Sequence, residues 1–454
     1  MPLPMLLTDS VFLTAETRET PMHVGGLQLF KPADDFPGAH ELFRQLLADD
    51  DVAPLFAKRP VRSIRTAGQW AWQRDREFDI EHHVRHNSLP KPGRILDLLA
   101  LCSRLHGTLL DRKRPLWEFH LIEGLADGRF AIYLKMHHSL VDGVAAQRLL
   151  QNMLTKDADA REMPAPWTVR PRRPGPGHPR IDVGALRSAL DLAVEAAGLP
   201  AALANTLRRG FKDESAPVSF AAPRTMFNVP ITGSRRFAAQ SWPLERIGAI
   251  TKVGGVTIND AVLAICSGAL RRYLLEMDAL PSVPLISMVP VALKGKGNRD
   301  SGNAVGAVMC NLATHLDDPA DRLATITASM ADGKRAMAEM SPLQIVAMTG
   351  LGMSPLVLQG IPGYTDLFRP PFNIIISNVP GARKPLYLNG SELDGLYPLS
   401  IPYHGQALNI TCTSYHNEIA FGLTGCRRTV PHLQRLLGYL DDEVAALEKA
   451  VGLS

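Results

Sequence analysis

Two adjacent histidines followed by an aspartate and a glycine, in the run His137-His138-Ser139-Leu140-Val141-Asp142-Gly143, are the residues here best suited to chemistry. Four readings of the run compete. Ser139 and Asp142 stand three apart like a helix capping box, in which Asp142 would satisfy amide groups and favour the helix dipole. Both histidines and Asp142 together resemble a metal set, but adjacent strand residues point to opposite faces, which makes joint ligation awkward. A Ser-His-Asp triad would need Ser139 to attack from beside its own base, and no Gly-x-Ser-x-Gly elbow occurs. The last reading is a single general base. His138 with an ordinary pKa near 6.5 would be roughly three-quarters neutral at pH 7, able to take a proton from a hydroxyl that then attacks an activated acyl group. Gly143 would leave room for the approaching substrate.

The flanking sequence must hold such a base rigidly. Phe130, Ile132, Leu134 and Met136 alternate with Arg129, Ala131, Tyr133 and Lys135, the period of a strand. Ala146, Leu149, Leu150 and Met153 then recur on one face of a helix. The histidines therefore close a strand and open a helix. If strand parity continues, His138 shares a face with the apolar set and His137 lies on the other.

Bulk properties set the frame. At 454 residues the chain exceeds one ordinary core, and 46% hydrophobic with 21% charged content is that of a folded protein. The 49 basic and 45 acidic residues leave +4, too small a surplus to argue for nucleic acid. Five scattered cysteines without a CxxC pair argue against a disulfide framework or a zinc cluster and suit a reducing cytoplasm. The first residues lack the basic region of a secretory signal. Residues 340–365 carry no charge over 26 positions, but three prolines and four glycines interrupt them. They read as buried helical segments around an apolar cavity rather than one lipid-facing helix.

Periodicity predicts a short helix at 8–16 capped by Thr8 or Asp9, a strand at 21–30 and a helix at 39–49. Paired strands follow at 69–89, then a helix at 93–109 and a strand leading to Glu123. His23 could reach a site or be bonded within its sheet. The second pair, His82-His83, lacks a following Asp-Gly and reads as solvated loop or edge strand. Residues 164–180 are a Pro/Arg-rich linker, ahead of a crossover helix near 182–209. A second block holds strands at 235–242, 284–291, 303–315 and 372–378 and near 386–398 and 406–424. Its helices fall at 244–252, 258–277, 319–338 and 431–450. The expected organisation is an N-terminal domain at 1–163, a linker and crossover at 164–218 and a C-terminal domain at 219–454. Both domains are α/β, with a site in the groove between them.

HHxxxDG is the signature of acyltransferases with the chloramphenicol acetyltransferase fold. The chain resembles the bacterial wax ester synthase/diacylglycerol acyltransferase family along nearly its whole length. The resemblance is carried by Pro21-Met22-His23-Val24-Gly25, Pro115-Leu116-Trp117-Glu118, Asn228-Val229-Pro230-Ile231 with Arg235-Arg236, and Asn259-Asp260-Ala261-Val262-Leu263. Ser377-Asn378-Val379-Pro380-Gly381 and Leu408-Asn409-Ile410-Thr411 with Ser414-Tyr415 complete it. Ala382 stands where that family often has proline.

The resemblance implies two such domains, each a mixed sheet with flanking helices, and a peripheral or soluble enzyme. Acyl-CoA and a diacylglycerol or long-chain alcohol would be its substrates, and triacylglycerol or wax ester its product. No cofactor, metal or nucleic acid is implied. A cytoplasmic place, with contact to the inner membrane or a lipid droplet, is. His138 would be the base, His137 its support, and Asp142 a structural residue paired with an arginine. Asn259, Asp260 and Asn378 would lie near the channel, although each also makes a good helix start or turn. Pro115-Leu116-Trp117 reads as packing, and the uncharged segment as a tunnel lining or core. The competing expectation is a non-catalytic acyl- or lipid-surface-binding protein of the same fold.

Overall fold

The computed structural model describes residues 3–66, 68–170, 222–292, 305–339, 363–367 and 369–453. The linker beyond Arg170, the crossover helix and nearly all of the uncharged segment lie outside the described residues.

The N-terminal half runs β1 (Leu3–Pro4), α1 (Leu7–Ala15), β2 (His23–Lys31), α2 (Ala39–Leu47), β3 (Lys58–Arg62) and β4 (Trp70–Arg74). It continues through α3 (Ile80–His83), β5 (Val84–Ser88), α4 (Ile95–Gly107), β6 (Trp117–Glu123), β7 (Phe130–His137) and α5 (Gly143–Asn152). The second half opens with β8 (Arg235–Pro243), α6 (Leu244–Gly254), α7 (Ile258–Glu276), β9 (Ile286–Ala292), β10 (Val305–Asn311) and α8 (Pro319–Ala338). It ends with α9 (Tyr364–Leu367), β11 (Ile374–Val379), β12 (Tyr387–Leu388), β13 (Ser391–Leu399), β14 (Leu408–Tyr415), β15 (Glu418–Cys426) and α10 (Arg435–Ala450).

Two mixed six-stranded sheets form, in the orders β12-β13-β2-β7-β6-β5 and β10-β9-β11-β14-β15-β8, with a small third sheet β1-β4-β3. β12 and β13 follow β11 in sequence yet extend the first sheet, where β13 pairs with β2. The halves are therefore interlocked. Gly422 permits this: a Cβ there would sit 1.9 Å from the Pro398 carbonyl, so only glycine lets β15 press against β13.

β7 is the central strand of the site and is buried on both faces. Its even residues Phe130, Ile132, Leu134 and Met136 join the main N-terminal core. Its odd residues are not solvated as a polar face would be: Tyr133 and Lys135 are fully buried. Lys135 is made tolerable by Glu118, 2.8 Å away, and by the Leu105 and Thr108 carbonyls, each accepting at 3.0 Å. Those bonds also fasten the C-terminal end of α4 to the sheet.

Several local expectations change. Residues 69–89 are not one strand pair, because β4 joins the small sheet while β5 joins the large one. His83 is not solvated: it sits in α3 at 1% exposure, stacked on Phe78 and Trp117, with Nδ1 2.9 Å from the Trp117 carbonyl. One of its stacking partners, Trp117, comes from distant sequence, so local charge misleads. α1 has no side-chain cap; its N-cap residue is Leu6. Among the described residues no single helix is long and apolar enough to cross a membrane. α6 and α7 pass together by composition but meet at 104°, and α7 is core.

Candidate active site

The strand ends at His137, so the parity argument stops one residue before His138. His138 already belongs to the turn, held by its N–H donating to the Met22 carbonyl at 2.8 Å. Its ring stacks on Phe12 of α1, with centroids 4.0 Å apart. Phe12 belongs to an apolar group with Met22, Val24, Val141 and Ala146 of the N-terminal half and Ile375, Ile401 and Tyr403 of the C-terminal half. His138 therefore lies where the two halves meet.

Desolvation pushes the His138 pKa down to about 4, while Asp142 and a hydrogen bond to its own backbone favour the protonated form. The sequence expectation of a quarter-protonated histidine is thus corrected. At neutral pH this ring is neutral, because it is enclosed.

His137 points the other way and is fully buried. The Ser139 amide donates to its Nδ1 at 3.1 Å, and the Ser139 hydroxyl lies 2.7 Å from the same atom. An amide can only donate, so Nδ1 carries the lone pair and Nε2 the proton. That Nε2–H faces Glu16 Oε1 at 3.4 Å.

Glu16 is the residue at the centre of this cluster, and the sequence did not reveal it. Its carboxylate also lies 3.1 Å from His23 Nε2 and accepts from Arg112 Nε and Nη2 at 3.1 and 3.0 Å. It further accepts from the Met22 amide at 3.1 Å. Burial alone would raise its pKa, but the contacts with His137 and His23 hold it well below the usual carboxylate range. One buried anion thus joins His137, His23, Arg112 and the residue whose carbonyl anchors His138. Nothing in its local sequence marks Glu16, since its partners are set by tertiary pairing. His23, paired with His137 across β2 and β7, belongs to this support and not to a solitary sheet bond. His106 closes the cluster, with Nε2 donating to the Ser400 carbonyl and Nδ1 accepting from Tyr133, both at 2.8 Å.

Asp142 does not pair with an arginine among the described residues; its Oδ1 accepts the Ala145 amide at 2.7 Å and it is itself the N-cap of α5. Ser139 is committed to His137, so the expected Ser139–Asp142 capping box does not form. Apart from its chain neighbours and its own helix, no atom of the described residues stands within 4 Å of where a Gly143 Cβ would be. α5 itself is set by Gly26, where a Cβ would lie 2.2 Å from Leu150.

The C-terminal residues divide. β11 is drawn to the site: Ile375 packs in the apolar group around Phe12, and Gln147 of α5 donates to Thr413, whose hydroxyl donates to Val379 O at 3.0 Å. Asn378 lies half-buried in that strand. Asn259 and Asp260 stand instead at the start of α7. Asp260 accepts from Thr257 N and Oγ1 at 3.0 and 2.7 Å, a capping box. Asn259 Nδ2 is buried without a hydrogen-bond partner among the described residues. Trp117 is packing, buried with Nε1 donating to the Phe56 carbonyl at 2.8 Å. No group of three His, Cys, Asp or Glu among the described residues is placed to hold a metal ion.

The buried histidines predict a pH dependence. His23 and His83 are pushed down to about 4 and His106 to about 3, all chiefly by desolvation, alongside His138. Unfolding returns each to about 6.5, so below that pH the unfolded chain binds protons that the native state refuses. Stability should be full above about pH 6.5 and fall progressively toward pH 4. Glu16, depressed instead, would lose its contribution only at lower pH. The thermal midpoint at pH 5 is expected to lie about 5 °C or more below that at pH 7. Equal midpoints in calorimetry at fixed salt would contradict this.

Comparison with known proteins bears on the family and the fold. Residues 5–262 match the family model described as the wax ester synthase/diacylglycerol acyltransferase catalytic domain, and residues 301–448 match the WS/DGAT C-terminal domain. The Mycobacterium tuberculosis protein named "Probable diacyglycerol O-acyltransferase tgs2" is 50% identical over 455 residues, covering 99% of each chain. The solved wax ester synthase/diacylglycerol acyltransferase from Marinobacter aquaeolei VT8 superposes with a TM-score of 0.78 at 40% identity. That match covers 99% of this chain and 100% of that one. The first condensation domain of the calcium-dependent antibiotic synthetase, at 17% identity and a TM-score of 0.61, covers 99% of this chain and 97% of its own and shares the fold.

Proposed function

The chain belongs to the wax ester synthase/diacylglycerol acyltransferase family, and from that premise we propose that it moves a long-chain acyl group from acyl-CoA to the hydroxyl of a diacylglycerol or fatty alcohol. The product is a triacylglycerol or wax ester. The observation that carries this reading is His138: an imidazole that desolvation holds neutral, stacked on Phe12, close in sequence to Gly143, whose Cβ position is clear of the described residues outside its own helix.

In the proposed step Nε2 takes the proton of the acceptor hydroxyl as its oxygen attacks the thioester carbonyl. The tetrahedral oxyanion collapses, the carbon–sulfur bond breaks, and the imidazolium returns the proton to the departing CoA sulfur. A low pKa does not disqualify the base. The desolvation that opposes a lone imidazolium opposes an imidazolium–oxyanion pair less, because the pair is neutral overall. Asp142 adds an attractive charge at the moment of protonation. No protein-bound acyl intermediate, metal or cofactor enters the step.

The role of the Glu16 cluster is to fix the His137 ring and, through Met22, the backbone of the base. Asn378 and the open side of α5 would flank the substrates. Asn259 and Asp260 fit scaffold better than contact, because the Asp260 carboxylate is spent on its cap. The lipid acceptor implies peripheral contact with a membrane or droplet.

The test is an acceptor panel. Purified protein is given a long-chain acyl-CoA with diacylglycerol, hexadecanol or water, while thiol release is followed and the ester identified by mass spectrometry. Ester formed in step with thiol release is expected for at least one lipid acceptor. Tight lipid binding with no thiol release from any acceptor would instead favour a non-catalytic lipid-binding protein.

A further inference from the structure

The small sheet β1-β4-β3 has no part in the chemistry, yet its surface is unusual. Residues 58–74 contain five basic residues and no acidic one. The turn joining β3 to β4 presents Ile64 at 99% exposure, where an apolar side chain is ordinarily sheltered. Leu3, 68% exposed, pairs with Trp72 across the same sheet, and Leu6, 48% exposed, leads into α1. Arg62 lies over the half-buried Trp70 at 5.7 Å, and Lys58 over Trp72 at 4.4 Å. The acidic side chains nearby are Asp75, 3.7 Å from Arg59, and Asp9, whose charge acts on Lys58. Arg62 and Arg74 form no ion pair among the described residues.

An exposed aliphatic tip, tryptophans behind it and arginines around it match an interface with apolar interior and anionic headgroups. A protein partner would call for a broader apolar patch than one isoleucine and two leucines. The position agrees with this. Leu6 is six residues from Phe12, or about 9 Å of helix rise, and Phe12 stacks on His138.

We propose that the β3–β4 turn and the start of α1 dock on the surface of an anionic phospholipid bilayer, and that the lipid acceptor passes along α1 to His138. The second half of this proposal rests on the acyltransfer reading; the docking itself does not.

The test is sedimentation of the full-length protein with phosphatidylcholine vesicles, with and without about one-third phosphatidylglycerol, at low and high salt. Binding to the anionic vesicles, weakened by salt, is expected. Ile64→Asp should weaken it about tenfold, and Ile64→Trp should strengthen it. Because Ile64 is outside the site, both variants should keep wild-type rates on a detergent-dispersed acceptor. Rates on diacylglycerol in anionic vesicles should follow the binding. Equal partitioning of Ile64→Asp and wild type, or equal binding to neutral vesicles, would overturn the proposal. If vesicle binding follows the expected pattern while no ester forms on any acceptor, the docking surface stands and the acyltransfer reading fails.

Discussion

Glu16→Ala is expected to lower stability by about 3–5 kcal/mol, the cost of removing one partner from a buried ionic cluster. The His137 and His23 rings would face an emptied pocket, and the Met22 amide would lose its acceptor. Arg112 is partly open to water and can be rehydrated, which tempers the loss. Activity should fall as well, because Met22 carries the carbonyl that holds the His138 amide. Glu16→Gln separates shape from charge. It can still accept from Met22, so its stability loss should be smaller, about 1–3 kcal/mol, while kcat falls more than KM rises. Denaturant unfolding and steady-state kinetics read both effects. A Glu16→Ala protein within about 1 kcal/mol of wild type and fully active would remove Glu16 from the account.

Much of the scaffold was legible because it is local. The period-2 run ending at His137 and the helical run after Asp142 give β7 and α5, and the helix expected at 319–338 matches α8 to the residue. The spacing of His138 to Asp142 and Gly143 singled it out as the candidate base, and the structure places it where the two halves meet. What escaped depends on contacts between distant segments. Glu16 and Arg112 are 96 positions apart, and neither stands in a pattern. The burial of Lys135 is set by Glu118 on the neighbouring strand, which alternation along its own strand does not show. β13 sits in the second block by order but in the first sheet by pairing, and no periodicity encodes that choice. The pKa of His138 follows from enclosure by Phe12, which a strand-parity argument cannot supply.

His138→Ala has the largest expected effect on chemistry. The substitution removes the atom that accepts the acceptor's proton and leaves Asp142, the Glu16 cluster and the α5 cap in place. General bases contribute about 10²–10⁴-fold, so the acyl-transfer rate should fall by that factor. Acyl-CoA affinity should change little, since the lost group acts on the attacking hydroxyl. The thermal midpoint should stay near that of wild type, because a depressed histidine is not a source of native stability below neutral pH.

The most direct measurement is therefore a single-turnover experiment. Wild type and His138→Ala are saturated with radiolabelled acyl-CoA, mixed with the best acceptor, and quenched over time to count ester. The account predicts ester at a rate about 10²–10⁴-fold slower in the variant, with matching acyl-CoA binding and no acylated protein in either. A variant that retains most of the wild-type rate, or an acyl-protein that forms before acceptor is added, would contradict it.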